Sequence, residues 1–517
     1  MKNGWTRLRL FAKQTGKVCI VLYAALGILL LSGCSTLPHS NKHPTEVSSS
    51  VSNPDDLIKP PSVITLSYSE KDTLNPYTCN SSINLDLMPL LFEGLTNINA
   101  DYTSSPQLAA GITLDGKTAI ATLRSDAVFS DGSPVTVDDI ISSFQAAKKS
   151  ENFGELVAPV SAVYTSGDKA VGISFSMLTP AWKNALSFPI IKKDSNIKEP
   201  IGSGRYILKV AKGNSSLSAN PKAKVKPKHD TLQLQNVTNN DAMLHALENG
   251  SVSCYFTDLS NGEIPRTSSA IANPALNHLV FLGINANRTD LSHAEVRQAI
   301  STAISRNNLV SSGYSGRAQA ATTPFYPAWK DVNTIKGFSV NENINAAVAL
   351  LDKAGYNTSG TSGSKEKKDL SLELLVNKEN AFRDTVADLL KQQLASVGIK
   401  LTIKTLSFKN YRSQLKRGNF DLYLGEIQLS SHLGLYPFFS SGGAASYGIR
   451  KTPATGAYQQ YVSGDTELSE FVTAFCENVP FVPLCFRKGI FAYNRALTGV
   501  SPTPFDIYAN IDNWKFA

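Results

Sequence analysis

Excess charge of one sign is small in this sequence, and cysteine and the signatures of catalysis are scarce. The formal net charge is +8, from 50 Lys and Arg against 42 Asp and Glu. Five of the basic residues, Lys2, Arg7, Arg9, Lys13 and Lys17, lie within residues 1–33, which hold no acid. Removing residues 1–33 takes those five away and leaves 45 against 42, or +3, with no Lys/Arg block beyond short runs such as 365–368. Nucleic-acid binding needs a basic stripe, so this balance argues against it. Only six cysteines occur, and four of them, Cys79, Cys254, Cys476 and Cys485, stand in the body of the chain. Four cysteines can pair in three ways. A body this large builds its own core and does not need bridges, so free, buried thiols are the expectation.

The motifs that carry chemistry are missing as well. No Gly-x-Ser-x-Gly elbow, His-Glu-x-x-His helix, phosphate loop or full Gly-x-Gly-x-x-Gly is present. Ser413 and Lys416 have the Ser-x-x-Lys spacing of penicillin-recognising enzymes, but the companion Ser-Asp-Asn and Lys-Thr-Gly are lacking. The seven histidines are scattered. Catalysis needs a nucleophile, base or metal in mutual reach, and the pattern offers none, so the chain reads as a binding protein rather than an enzyme. No cofactor is implied, and no internal repeat of fixed period occurs.

The first 33 residues read as an export signal: a basic start, an apolar run over 18–31, then Ser32-Gly33-Cys34. That run is 14 residues long, short of the roughly 20 that cross about 30 Å of hydrocarbon. Leu31-Ser32-Gly33-Cys34 resembles the bacterial lipobox, which implies that Cys34 is acylated and becomes the new N-terminus. More than one acyl chain would make that anchor to the bilayer stable. Residues 34–61 are rich in Ser, Pro, Asn and Thr and read as a flexible tether, because such a composition buries too little surface to offset chain entropy.

Beyond the tether, periodicity defines elements. Residues 63–68 alternate as a half-buried strand, and Thr136 with Asp139 forms a capping box ahead of Val137, Ile140, Ile141 and Phe144. A second box is expected at Ser292 to Glu295, followed by the stripe Val296, Ala299, Ile300, Ala303 and Ile304. Gly355 should end a shorter helix. The clearest stretch spans 370–428: strand, helix, strand, helix, strand, joined by short links. Such a run implies parallel pairing through right-handed crossovers, with a ligand beyond the carboxyl end of the last strand. Residues 361–368 read as an exposed loop.

Eight segments in order resemble one family. They are Leu74-Asn75-Pro76, residues 91–95, residues 105–109, residues 123–136, residues 202–206, Val296-Arg297-Gln298-Ala299 with residues 303–306, residues 350–356, and residues 418–421. Together they are similar to the family 5 extracytoplasmic solute-binding proteins, the oligopeptide-, dipeptide- and nickel-binding components of ABC importers. The likeness covers about residues 62–517. It departs at Phe129, where the family has Trp, and at Arg205, where it has Pro.

The resemblance implies an α/β, two-lobed periplasmic-binding-protein fold of type II with an extra subdomain and a hinge between the lobes. Lobe I would take 62–83, 190–278 and 479–517, the extra subdomain 84–189, and lobe II 279–478. The implied function is a lipid-anchored, monomeric receptor on the outer side of a bacterial membrane. It would close around a peptide and hand it to an ABC permease. Asn80, Ser81 and Ser82 would offer one main-chain edge and Glu426, Ile427 and Gln428 the other, with Phe153 and Tyr447 as aromatic walls. Relatives that grip a peptide ammonium use an aspartate just past that second edge, yet residues 429–436 contain no acid. Leu424 stands where some relatives have an arginine. Glu426 is then the nearest carboxylate for an ammonium, and murein-derived peptides, which can lack a free amine, would suit the site. His432 has no second ligand beside it and reads as a surface or loop residue, so no metal site is expected. Two alternatives stay open: a surface lipoprotein that binds envelope or host components without transport, and a receptor for a non-peptide solute, metal or opine-like.

Overall fold

A computed structural model describes residues 62–211, 214–358 and 368–517. The expected signal over 1–33, the expected acylation site Cys34, the expected tether over 34–61 and all but the last residue of the loop expected at 361–368 lie outside the described residues. What is described belongs to one unit of the chain, beginning at Pro61.

The chain enters through β1 (Thr65–Tyr68), within the stretch whose alternation predicts a strand. An antiparallel sheet follows, built from β2 (Ala109–Asp115), β3 (Thr118–Leu123), β4 (Val160–Gly167) and β5 (Ala170–Phe175) in the order β2-β3-β5-β4. Helix α1 (Val137–Lys149) lies in the same unit of packing. Its N-terminus is the predicted capping box: the Asp139 N–H donates to Thr136 Oγ1 at 3.3 Å, and Thr136 N–H donates to Asp139 Oδ2 at 2.8 Å. Two of the orphan donors at the helix start are thereby satisfied. Val137, Ile140, Phe144 and Ala147 bury the apolar face against Ala119, Ala121 and Ile173.

Three further strands, β6 (Tyr206–Lys209), β7 (Ser216–Ala219) and β8 (Thr231–Asn236), join β1 in the order β1-β8-β7-β6, with β1 parallel to β8. After helix α2 (Asn240–Glu248) come β9 (Cys254–Thr257), β10 (Ala270–Ala272) and the long β11 (Ala275–Ile284). Helix α3 (Ala294–Ala303), β12 (Ala318–Ala320) and α4 (Ile344–Lys353) lead to the regular stretch. There β13 (Ser371–Asn377), α5 (Ala381–Ala395), β14 (Lys400–Leu406), α6 (Phe408–Arg417) and β15 (Leu422–Gln428) succeed one another as predicted. β13 pairs in parallel with both β14 and β15. The chain ends with β16 (Phe481–Lys488) and β17 (Ile490–Tyr493) ahead of the C-terminal segment.

The central sheet has six strands, β12-β16-β11-β15-β13-β14, and a three-stranded sheet runs β9-β17-β10. The chain passes between these two sheets twice, from β10 to β11 and from β16 to β17. The crossings touch: Gly489 N–H donates to Pro274 O at 2.9 Å, and a Cβ on Gly489 would lie 2.9 Å from Thr257 O. Because β16 is hydrogen-bonded to β11 and β12, the C-terminal segment leaves the central sheet only at Gly489. Of the expected lobe boundaries, 278 lies within β11 and 479 lies two residues ahead of β16.

Both faces of the central sheet are covered, and strand alternation sorts its side chains. Val280, Leu282 and Ile284 of β11 pack with Val296, Ile300, Val386 and Leu390 of α3 and α5. Leu279 and Phe281 face the other way, among Phe438, Phe471 and Phe481. Full burial of each such side chain contributes roughly 1.5–3 kcal/mol. Two glycines fit the facing rings: a Cβ on Gly283 would stand 2.0 Å from the Tyr423 ring, and one on Gly425 2.4 Å from Phe281.

The motif arginines are structural. Arg297, 3% exposed, donates to the carbonyls of Asn478, Val479, Leu291 and Ser292, and Arg306, 1% exposed, to those of Pro483 and Ser339. The capping box expected at Ser292 does not form. His293 is the N-cap of α3 without a side-chain bond, while Ser292 Oγ donates to Thr289 O at 2.7 Å within a 3₁₀ turn. Gly355 does terminate α4, at φ +86°, and Cys254, Cys476 and Cys485 are free thiols.

Candidate ligand-binding site

β15 is the strand whose carboxyl end the sequence singles out. On one side it pairs with β11 along its whole length, Leu422 to Gln428 against Ile284 to His278. On the other it pairs with β13 only at Leu422 and Tyr423. From Leu424 to Gln428 that second edge has no strand partner among the described residues. Parallel strands that diverge in this way leave main-chain donors and acceptors for an extended ligand.

Glu426 sits on this segment but is already committed. Its Oε1 accepts from Arg487 Nε at 2.6 Å and lies 2.5 Å from Arg487 Nη2; Arg383 Nη2 is 3.5 Å from Oε2. His278 Nδ1 stands 3.2 Å from Glu426 Oε1 and 3.1 Å from Arg487 Nη2. Burial raises the carboxyl's pKa, yet the charge of Arg487, the His278 hydrogen bond and the charge of Arg383 outweigh it and hold it well below the usual range. Arg487 also donates to the Asp258 carbonyl. The Asp258 carboxyl is pushed up by burial and drawn down further by His278 and Arg487, for a net lowering. Two guanidiniums thus face two carboxylates. Glu426 is therefore ionised, with its charge already paired to Arg487 and Arg383.

Arg383 shows how the local sequence builds this cluster. A cation in the first turn of a helix opposes the macrodipole, and Arg383 stands there in α5. Its Nη1 reaches back across the end of the sheet to Asn377 Oδ1 and, at 3.1 Å, to Leu424 O. The uncharged position 424 therefore carries a guanidinium on its carbonyl, supplied from another element.

The stretch 429–436 is a buried junction. Ala181 N–H donates to His432 O at 3.2 Å, and Asn184 Nδ2 donates to Tyr102 O at 2.9 Å and Ser431 O at 3.0 Å. Tyr102 OH donates to Asn277 Oδ1, whose amide in turn donates to Leu429 O at 2.6 Å. His432 is 0% exposed, so its expected place on the surface is incorrect. Gly434 N–H donates to its Nδ1 at 3.0 Å, which leaves Nε2–H to donate to Glu155 O at 3.0 Å. Burial pulls its pKa down to about 4, against an upward pull from the Glu155 carbonyl. Tyr436 OH also reaches Glu155. Backbone strain accompanies the junction: Leu433 has φ +61°. No group of three or more His, Cys, Asp or Glu that could hold a metal occurs among the described residues.

The remaining expected site residues fall into two groups. Asn80 and Ser81 donate their backbone N–H groups to Asp72 Oδ2 at 2.7 and 2.6 Å, and Ser81 caps the short helix Ser82–Leu85. Asn152 Nδ2 ties this turn to its neighbour through Pro76 O and Cys79 O, and the adjacent Phe153 ring stands 5.6 Å from Tyr77. Ile427 and Tyr447 both pack on the aromatic side of the central sheet, with Tyr447 6.3 Å from Tyr423, while Gln428 is exposed. The contacts described fall within each group. A cavity of about 260 Å³ lined by Glu93, Gln107, Arg205 and Lys224 involves none of these residues. Arg383, Arg487, His278, Asp258 and Tyr102 escape sequence reasoning; only Arg383, a cation in a first helical turn, gives a signal.

Comparison with known proteins places this arrangement. The model of the bacterial extracellular solute-binding proteins, family 5, middle region, matches residues 103–446. The oligopeptide-binding protein AppA of Bacillus subtilis (strain 168) is 23% identical over 551 aligned positions, covering 97% of this chain and 99% of that protein. Among solved structures, a nickel ABC transporter protein from Bacillus halodurans superposes with a TM-score of 0.72 at 17% identity, over 88% of this chain and 100% of that one. The periplasmic murein tripeptide-binding protein MppA, in its unliganded open form, gives 0.71 at 18% identity, over 88% and 97%. The α/β fold is thus that of the periplasmic binding proteins, and a family model that spans most of the body decides the rest: the chain belongs to the bacterial extracellular solute-binding proteins of family 5.

Proposed function

We propose that this protein is a peptide receptor for an ABC importer, one that recognises main chain and does not require a free ammonium. The observation that carries the reading is the edge of β15 from Gly425 to Gln428, which no described strand pairs beyond the Leu424 carbonyl that Arg383 and Tyr411 occupy, at the carboxyl end of parallel strands. Extended peptides add to such an edge through backbone hydrogen bonds, which accept many side chains. Neither charge nor sequence provides an ammonium partner there. Glu426 is neutralised by two arginines, and 429–436 is an acid-free, buried junction. Peptides with a blocked or absent amine, such as murein-derived ones, fit this chemistry.

In this reading the two crossings at 272–275 and 488–490 are the hinge. Lobe I comprises 62–83, 190–274 and 489–517, the extra subdomain 84–189, and lobe II 275–488. The turn at Asn80, Ser81 and Ser82 with Phe153 faces the β15 edge and Tyr447 across the cleft, and closure shifts the population toward the ligand-bound form. Cys34 anchors the monomer in the bilayer, and a membrane permease receives the closed form. Oligopeptide and murein tripeptide receptors among the relatives support the ligand class.

The test is calorimetric titration with a panel of short peptides and their N-acetylated forms. Binding at micromolar Kd or tighter, about −8 kcal/mol, with free and acetylated forms within about threefold, is expected. Binding of free-amine peptides alone would refute the reading.

A further inference from the structure

The segment between β7 and β8 reads Pro221-Lys222-Ala223-Lys224-Val225-Lys226-Pro227-Lys228. Every second residue is a lysine, an interleaving that a search for unbroken basic runs passes over. All four lysines are exposed, and Val225 at the centre is 63% exposed. The base of the loop is fixed to the C-terminal segment: Lys228 N–H donates to Asp512 Oδ1 at 3.0 Å, Lys228 Nζ to Asn513 Oδ1 at 3.1 Å, and His229 Nε2 lies 3.0 Å from Ile511 O. Of the acids nearby, Asp230 and Asp126 are exposed, Asp126 paired with Arg124, and the other two are engaged inward. Asp512 pairs with Arg205 at 2.9 Å, and Glu93 lines the cavity behind Lys224 and Val225. Within 221–228 itself the outer surface carries four lysines and no acid, with Val225 at its centre.

Its position in the fold gives this a meaning. β1 runs parallel to β8, with Thr65 opposite Gln233, and Gln233 N–H donates to Ile64 O at 2.9 Å. The start of β1 and the start of β8 therefore lie at the same end of the sheet. The chain enters the described body at residue 62, beside the strand that begins at Thr231, three residues after Lys228. Val63, 46% exposed, adds apolar surface at the entry. Ahead of the entry the sequence holds the apolar run at 18–31 and Cys34.

We infer that the 221–228 loop is a membrane-facing surface that sets the body on a bilayer containing anionic phospholipid. The lysines meet headgroup phosphates, and Val225 enters the interfacial layer. Each lysine near an anionic surface strengthens binding about fivefold, and the apolar tip adds to it. The loop needs little affinity of its own. Residues 34–61, whatever their conformation, span at most about 100 Å, which keeps the loop at high effective concentration next to a bilayer that holds Cys34. The hinge and the β15 edge do not enter this argument.

The experiment uses the full chain incorporated into vesicles of phosphatidylcholine, with or without one-third phosphatidylglycerol. Exposed lysines are acetylated by a membrane-impermeant reagent and read by peptide mass spectrometry. Lys222, Lys224 and Lys226 should react at least fivefold more slowly on phosphatidylglycerol vesicles than on neutral ones, while Lys391 and Lys409 in α5 and α6 react equally on both. Protection should vanish at 0.5 M salt. The variant Lys224→Gln/Lys226→Gln, whose exposed changes leave the core alone, should lose the protection of Lys222. Equal labelling on both vesicle types would overturn the inference. So would protection seen only in native membranes and not on lipid alone, because it would assign the loop to an acidic protein partner.

Discussion

Acidification should weaken the fold through His432, by an amount its surroundings set. The imidazole is fully buried, accepts from Gly434 N–H on Nδ1 and donates to Glu155 O from Nε2. A second proton would turn Nδ1 into a donor facing the Gly434 N–H, in a site where burial already disfavours charge. Burial holds the folded imidazole's pKa down at about 4, against about 6.5 for one in water. Between those values the unfolded chain binds the proton and the folded chain does not, so stability is complete above pH 6.5 and is lost as pH falls toward 4. The two-state linkage gives a loss of roughly 2 kcal/mol at pH 5 and roughly 3 kcal/mol at pH 4 from this residue. Urea unfolding of the wild type and of His432→Asn at pH 7, 6 and 5 isolates it. The variant should be less stable at pH 7 but should lose about 2 kcal/mol less on going to pH 5. Parallel pH profiles, within about 0.5 kcal/mol, would refute the neutral, doubly bonded imidazole.

Two other substitutions probe the central sheet. Glu426→Gln leaves Arg487 and Arg383 buried without their carboxylate, and denaturant unfolding at pH 7 should show a loss of roughly 3–5 kcal/mol; a loss under 1 kcal/mol would mean the cluster is open to water. Gly425→Ala drives a methyl into the Phe281 ring, for which about 1–3 kcal/mol of destabilisation is expected, with a matching drop in Tm by calorimetry.

The regular parts of this fold were legible because they are local. The 370–428 stretch repeats apolar residues at strand and helix periods, and the structure returns that order with parallel pairing. Thr136 and Asp139 cap α1 because both partners lie within one turn. Ser292 fails although its pattern is as good, since its hydroxyl finds the Thr289 carbonyl first. The charge cluster was not legible. Arg487 and Asp258 are 229 positions apart, and Arg487 and His278 are 209 apart; no spacing rule joins them. Glu426 looked free for the same reason. His432, in a run of Ser and Gly, reads as exposed until Glu155 and Ala181 are brought against it by the fold. The lysines at 222–228 were legible in principle, but alternation with Ala, Val and Pro conceals their density.

The most direct test of the account is backbone hydrogen exchange over 422–428, with and without a bound acetylated peptide. If an extended ligand adds to the free edge of β15, the amides between Leu424 and Gln428 that point away from β11 should slow at least tenfold on binding. Amides paired to β11 should change little. Saturating peptide that leaves exchange over 424–428 unaltered would contradict the proposal that this edge is where the ligand lies.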